Sequence, residues 1–246
     1  MMYLWKPEMV AFMKDASEYN QFHKTYAERI AHYIPASAHI CDAGCGLGYL
    51  SLALSPHYRK VTGVDLAERP LVVFRDNVKA REIKNIQILE ADIFEHRPEM
   101  PYDGMIFCFF GGVLEALKIG KSQCSGTIVL IKRNWNKHRF SVGESAIVGH
   151  THVGAQLQLE SLGIAHRSEV FELEMGQPFR STADAVDFFS LYDRTSADQS
   201  LTSEAVQHRL IDTDCERFPF YLPMKRQIGM LIIHTDDIPE NLDCHI

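Results

Sequence analysis

The stretch Ile40-Cys41-Asp42-Ala43-Gly44-Cys45-Gly46-Leu47-Gly48-Tyr49-Leu50 decides how the rest of this 246-residue chain is read. A strand, His39 to Ala43, runs into three glycines at alternate positions, and a helix, Leu47 to Leu54, leads away from them. Alternate glycines let the backbone turn sharply and bring its N–H groups close to a ligand. The helix N-terminus adds a potential that favours a carboxylate or phosphate.

Outward from the loop, short apolar runs alternate with helical patterns. Strands are predicted at Lys60 to Asp65, Ile86 to Glu90, Tyr102 to Phe109 and Gly126 to Lys132, with helices at Arg69 to Arg81 and Val113 to Ile119. That alternation is the pattern of a parallel sheet with crossover helices. Upstream, Tyr19, Phe22, Tyr26, Ile30 and Tyr33 recur at three- and four-residue steps. They predict an amphipathic helix from about Asp15 to Ile34, capped by Asp15 or Ser17 and ended by Pro35. Downstream, a helix from Val153 to Leu162 stops at Gly163, and Glu169 to Met175 alternates as a half-exposed strand. A capping box at Ser181 to Asp184 opens a helix through Tyr192, and Thr202 or Ser203 caps another through Leu210. Ile228 to His234 is apolar and β-branched, a buried closing strand.

Composition narrows the classes. The chain is 46% hydrophobic and 23% charged, with a formal net charge of −7. This is long enough to build a core without a metal or disulfide staple. The acidic balance disfavours a nucleic-acid partner, although a local basic patch remains compatible with it. The cysteines at 41, 45, 108, 124, 215 and 244 form no Cys-x-x-Cys pair, and Met1-Met2-Tyr3-Leu4-Trp5-Lys6 lacks the basic and apolar regions of a signal peptide. They read as reduced thiols in a cytoplasmic protein. The longest nearly apolar run, Met105 to Leu114, is about half what a bilayer needs, so no membrane partner is expected.

The chemistry of the loop is set by its acids. One strand beyond it, Val61-Thr62-Gly63-Val64-Asp65 ends in a carboxylate that can accept from both hydroxyls of a ribose, so an adenosine-containing cofactor is implied. Dinucleotide sites want Gly-x-Gly-x-x-Gly; here the spacing is Gly44-x-Gly46-x-Gly48, which disfavours a nicotinamide oxidoreductase. Asp42, at the strand end, would repel a pyrophosphate but could hold an ammonium group, directly or through water.

Asp42-Ala43-Gly44-Cys45-Gly46-Leu47-Gly48 resembles motif I of the class I S-adenosylmethionine-dependent methyltransferases. Gly63-Val64-Asp65-Leu66 resembles the ribose-binding end of that family's second strand, and Leu89-Glu90-Ala91-Asp92-Ile93 the adenine-contacting end of the third. Tyr102 to Phe107 and Gly126 to Leu130 resemble the fourth and fifth strands. The resemblance covers roughly residues 37–133. It implies S-adenosyl-L-methionine as cofactor, with the backbone of Gly44, Cys45 and Gly46 meeting the methionine moiety, Asp65 the ribose, and Asp92 the adenine amino group. Ile93 would lie against the adenine ring, Tyr19 would touch the methionine end, and Asp42, Gly48, Leu66 and Cys108 complete the expected set. The expected architecture is an α/β domain spanning residues 1–246, a doubly wound, mostly parallel, seven-stranded Rossmann-like sheet. An N-terminal helical cover occupies 1–36, the cofactor-binding half 37–133, and the substrate-side half 134–246, with a helical cap near 177–226.

The acceptor side departs from several branches of the family. Members that methylate planar amino nitrogens carry an Asn/Asp-Pro-Pro-Tyr/Phe box after the fourth strand, where this chain has Cys108-Phe109-Phe110-Gly111-Gly112. Metal-dependent members present carboxylates after the fourth and fifth strands; Cys108 and Lys132-Arg133-Asn134 stand there instead, so no metal is expected. The glycine-aspartate loop of aminopropyl transferases is missing. The reading is therefore an enzyme that methylates a small or medium-sized acceptor, and a homodimer is compatible with it. A non-catalytic S-adenosylmethionine-binding sensor or partner subunit is the alternative. No catalytic residue is assigned; His23, His138, His150 and Tyr221 are the candidate bases for a hydroxyl acceptor. The run Lys132, Arg133, Lys137, His138 and Arg139 reads as a solvated loop, His150 and His152 as solvated loop histidines, and Cys41 and Cys45 as small packing residues.

Overall fold

In chain order the first half forms α1 (Pro7–Asn20), α2 (Phe22–Ile30), β1 (His39–Ala43), α3 (Tyr49–Leu54), β2 (Lys60–Asp65), α4 (Glu68–Ala80), β3 (Ile86–Glu90), β4 (Tyr102–Cys108), α5 (Val113–Gln123) and β5 (Cys124–Arg133). The second half forms α6 (His152–Ser161), β6 (Arg167–Glu174), β7 (Gln177–Phe179), α7 (Thr182–Tyr192), α8 (Ser203–Gln207), β8 (Ile211–Asp212), β9 (Phe220–Leu222) and β10 (Lys225–His234). The computed structural model describes residues 5–138, 140, 149–192, 202–240 and 242. It divides into two compact units, a larger one of residues 23–134, 150–171 and 228–246, and a smaller one of residues 1–22, 135–149 and 172–227.

The larger unit is built on a seven-stranded sheet in the order β3-β2-β1-β4-β5-β10-β6. β1 pairs in parallel with β2 and β4, β2 with β3, and β4 with β5, while β10 runs antiparallel to β5. The central strands are apolar runs because both faces are covered. Ile128 to Ile131 of β5 are fully buried, as are Ile228, Met230 and Leu231 of β10. The chain order reverses between β1 and β4, so the loops after these strands diverge and leave a crevice at their carboxyl ends.

α4 fixes the glycine loop from below. A side chain at Gly48 or Gly63 would overlap the fully buried Phe74 ring, and Gly48 has φ +74, a conformation that disfavours other residues. The smaller unit holds the antiparallel sheet β7-β9-β8 and an aromatic core. In it Phe188 packs edge-on to Phe12 and Phe140 at ring separations of 5.1 and 4.5 Å.

Five sequence expectations need correction. The N-terminal helix is two helices, starting at Pro7 and broken at Gln21, whose φ of 53 is left-handed. Asp15 caps nothing: it is buried in the middle of α1, paired with Arg180 and Arg217. Residues 177–226 are not purely helical but carry β7 before α7, and β8 and β9 after α8. The basic run is not a solvated loop, since Lys132 and Arg133 end β5 and Lys132 is 2% exposed; Arg139 lies outside the described residues. His152 is buried too, packed against Gly229, with Nε2 at 2.9 Å from Ser168 Oγ.

Candidate active site

The crevice is built from the carboxyl ends of β1 to β4. The N–H groups of Gly44 and Cys45 both donate to the Val64 carbonyl, at 2.8 and 3.1 Å, which holds the glycine loop against β2. The next residue, Asp65, accepts from Gly46 N–H at 2.8 Å with one carboxylate oxygen and from Ala67 N–H at 2.9 Å with the other. Each oxygen keeps a lone pair for a further donor. Behind the loop, buried Asp42 accepts from the Ser51 hydroxyl at 2.6 Å. Burial pushes its carboxyl up to about 6; the Ser51 bond opposes the shift and the Asp65 charge adds to it.

At the end of β3, Asp92 accepts from Phe94 N–H at 2.9 Å, and Ile93 is buried with its carbonyl accepting from Gln123 Nε2 at 2.7 Å. Leu66, Phe94 and Phe109, just beyond β2, β3 and β4, are 49%, 46% and 45% exposed. Large apolar side chains left open beside carboxylates with spare lone pairs form a surface for a flat, hydroxylated ligand. Cys108 ends β4; burial pushes its thiol up, the Asp42 charge adds, and Lys132 opposes, so it stays a neutral thiol rather than a nucleophile.

The structure therefore brings Asp42, Gly44, Cys45, Gly46, Gly48, Asp65, Leu66, Asp92, Ile93 and Cys108 into the larger unit, at the carboxyl ends of its strands. Tyr19 belongs to the smaller unit, its ring 5.2 Å from Tyr221 and 5.9 Å from Phe218. Of the candidate bases, His23 is in the larger unit with its ring stacked 5.8 Å from Tyr49, and burial pushes it down to about 3, so it stays neutral. His150 is exposed in a loop with φ 50. His138 and Tyr221 are in the smaller unit, and burial together with Glu174 raises the Tyr221 phenol, which stays protonated and so offers no populated base form.

Sequence reasoning missed three residues. Ser51, the partner of Asp42, sits in the first turn of α3 and carries no motif signal. Phe110 covers Gly44 so closely that a Cβ there would overlap its ring. Lys132 reaches from β5 to the Phe110 and Gly111 carbonyls, at 3.1 and 2.6 Å. Its one legible signal was a charge directly following the apolar run Ile128 to Ile131.

A groove of 380 Å³ lined by Arg59, Lys60, Lys84, Asn85, Ile86 and Gln87 lies at the amino ends of β2 and β3. Ligands of open parallel sheets bind at the carboxyl ends, so the groove is no part of this site.

Residues 40–118 match a family model described as a methyltransferase domain. A 75-residue segment is 31% identical to the S-adenosyl-L-methionine-dependent Diels-Alderase iccD of Talaromyces variabilis, covering 29% of this chain and 26% of that protein. The chain thus spans about a quarter of the length of that curated relative. Among solved structures, YcgJ of Bacillus subtilis superposes with a TM-score of 0.56 at 14% identity, over 87% of this chain and 98% of that one. A SAM-dependent methyltransferase from Aquifex aeolicus gives 0.51 at 18% identity, over 69% and 94%. These structures share the fold. The glycine loop, the acid-tipped strands and this sheet order thus stand in the chain together with the match of residues 40–118 to a methyltransferase domain.

Proposed function

We propose that the chain transfers the sulfonium methyl of S-adenosyl-L-methionine to a nucleophile on a small or medium-sized acceptor. The observation that carries this reading is Asp65, which ties the glycine loop to β2 through Gly46 N–H and, accepting one backbone bond per oxygen, keeps lone pairs for a further donor. The residues present fit the cofactor. Asp65 can accept from ribose hydroxyls, Asp92 from the adenine amino group, and Ile93 and Leu66 offer apolar contact to the ring. Asp42 lies buried behind the loop as the carboxylate for an ammonium group.

When bound, the cofactor supplies an activated methyl group, so the chain's own duty is orientation and exclusion of water. The β4–α5 loop, Phe109 to Gly112, bounds the crevice on the acceptor side. No metal is invoked. The net charge of −7 and the absence of an amino-nitrogen box support a small-molecule acceptor over nucleic acid. Among the described residues no helix is long and apolar enough to cross a membrane, and Cys41, Cys45, Cys108, Cys124 and Cys215 are free thiols. The free thiols support a reducing, cytoplasmic compartment as part of the proposal.

Calorimetric titration with S-adenosylmethionine and S-adenosylhomocysteine tests this directly, with NAD as the negative control. Binding of the first two, lost in Asp65→Ala, is expected; no binding of either removes the reading. Because the fungal relative is named for a Diels–Alder reaction, the activity assay should follow a labelled methyl group into product during a metabolite screen.

A further inference from the structure

The loop after β4 is held in an unusual way. Phe109 has φ 53, a left-handed conformation that a bulky aromatic residue rarely adopts, so its surroundings must enforce it. At the near end Phe109 N–H donates to the Ile131 carbonyl at 2.9 Å, and at the far end Gly112 N–H donates to Glu115 Oε2 at 2.7 Å. Between these ties, the carbonyls of Phe110 and Gly111 converge on one ammonium, Lys132 Nζ, at 3.1 and 2.6 Å. Lys132 is 2% exposed and directly follows four buried apolar residues of its strand, Ile128 to Ile131. A hydrocarbon there would avoid the desolvation cost of a buried cation, so fold stability does not account for the residue. What the ammonium does is fix the segment whose Phe110 ring stands where a Gly44 side chain would be.

We infer, resting on the cofactor reading above, that Lys132 is the positioning residue of this site, tying the Phe110 and Gly111 carbonyls so that the Phe110 ring is held over Gly44 of the glycine loop. Lys132 touches neither cofactor nor acceptor in this role; it acts through Phe110.

The test is a double-mutant cycle on the affinity for S-adenosylhomocysteine, measured calorimetrically with wild type, Lys132→Met, Phe110→Ala and the double variant. Each single variant is expected to weaken binding about tenfold or more, and the double variant no further than the worse single one. A merely structural Lys132 would lower the unfolding midpoint and leave the affinity of the folded protein unchanged. Should Lys132→Met fail to fold, Lys132→Gln, which keeps a donor without the charge, takes its place in the cycle.

The pH profile gives a second reading. The charged and titratable groups facing Lys132 are Cys108 from β4 and Glu115 from α5, and β10 sets Gly229 beside it. Burial pushes Lys132 down to about 8, against the opposing pull of these two groups. The ratio of wild-type to Phe110→Ala affinity should therefore fall above pH 8, and the ligand's own amine cancels in that ratio. Wild-type affinity retained in Lys132→Met, additive single effects, or a flat ratio overturns the inference. Wild type that binds neither S-adenosylhomocysteine nor S-adenosylmethionine overturns the cofactor reading and the inference with it.

Discussion

Ser51 donates its hydroxyl to the Asp42 carboxylate at 2.6 Å, and both residues are buried, 0% and 1% exposed, behind the glycine loop. A short charge-assisted bond compensates part of the cost of burying a carboxylate, but burial still dominates and pushes Asp42 up to about 6 from 3.8. A carboxyl raised in the folded state binds its proton more tightly there than in the unfolded chain. Its contribution to stability is therefore present below pH 4 and lost as pH rises through 6. Asp42→Asn removes this dependence. Relative to wild type, the variant should match it near pH 4 and exceed it by about 2–3 kcal/mol at pH 7, read as urea midpoints without cofactor. The same variant should bind S-adenosylmethionine more weakly, since it lacks the negative charge that an ammonium group needs. A variant no more stable than wild type at pH 7 would show that the carboxyl is not held up in the folded state.

Gly48 combines a φ of +74 with the Phe74 ring where its side chain would be. Gly48→Ala carries a left-handed penalty of about 1–2 kcal/mol and an overpacking penalty of about 1–3 kcal/mol. Chemical denaturation should show a loss of about 2–5 kcal/mol in total. Adding Phe74→Leu should return part of the overpacking share and none of the backbone share. Full recovery in the double variant would place all the strain in packing.

Asp65 separates hydrogen bonding from charge. Its two oxygens accept from Gly46 N–H and Ala67 N–H, so Asp65→Asn keeps one acceptor and Asp65→Ala keeps none. Losses in S-adenosylhomocysteine affinity of about tenfold and about hundredfold are expected in that order. Equal losses in both variants would mean that the charge, rather than the accepting geometry, carries the contribution.

The residues that could be read from sequence are those whose reasons are local. A glycine loop between strand and helix, and an acid at the end of the next strand, are short-range patterns, and the structure puts Gly44, Gly46, Gly48, Asp65 and Asp92 at the carboxyl ends of neighbouring strands as expected. Helix ends with side-chain caps were legible for the same reason: Thr202 accepts from Ala205 N–H and Ser181 from Asp184 N–H. What failed depends on partners far along the chain. Asp15 looked like a cap because nothing nearby reveals Arg180 and Arg217, more than 160 residues away. Lys132 looked solvated because its acceptors are backbone carbonyls, which carry no sequence signal. The left-handed break at Gln21 lies within an uninterrupted apolar periodicity, so the pattern ran two helices together.

The Asp15 pairing in the smaller unit predicts a strongly non-additive response. Its side chain is 3% exposed, while those of Arg180 and Arg217 are 49% and 57% exposed, so one buried carboxylate depends on two half-solvated cations. Arg180 holds both carboxylate oxygens, at 2.7 and 2.8 Å, and Arg217 stands 3.4 Å from one of them. In Arg180→Ala the second guanidinium remains within reach, and solvent screening keeps the loss near 1 kcal/mol. Arg217→Ala should cost less, because the closer pair survives. With both replaced, the carboxylate is left buried without a cation, and a loss of about 3 kcal/mol is expected, more than the single effects together. Repeating the cycle in an Asp15→Asn background isolates the cause: there the two arginine substitutions should become nearly additive and nearly neutral. Some loss will persist even so, because both guanidinium groups also lie over the Phe218 ring, at 5.2 and 4.8 Å. If the non-additivity survives Asp15→Asn at full size, the coupling runs through Phe218 and not through the carboxylate.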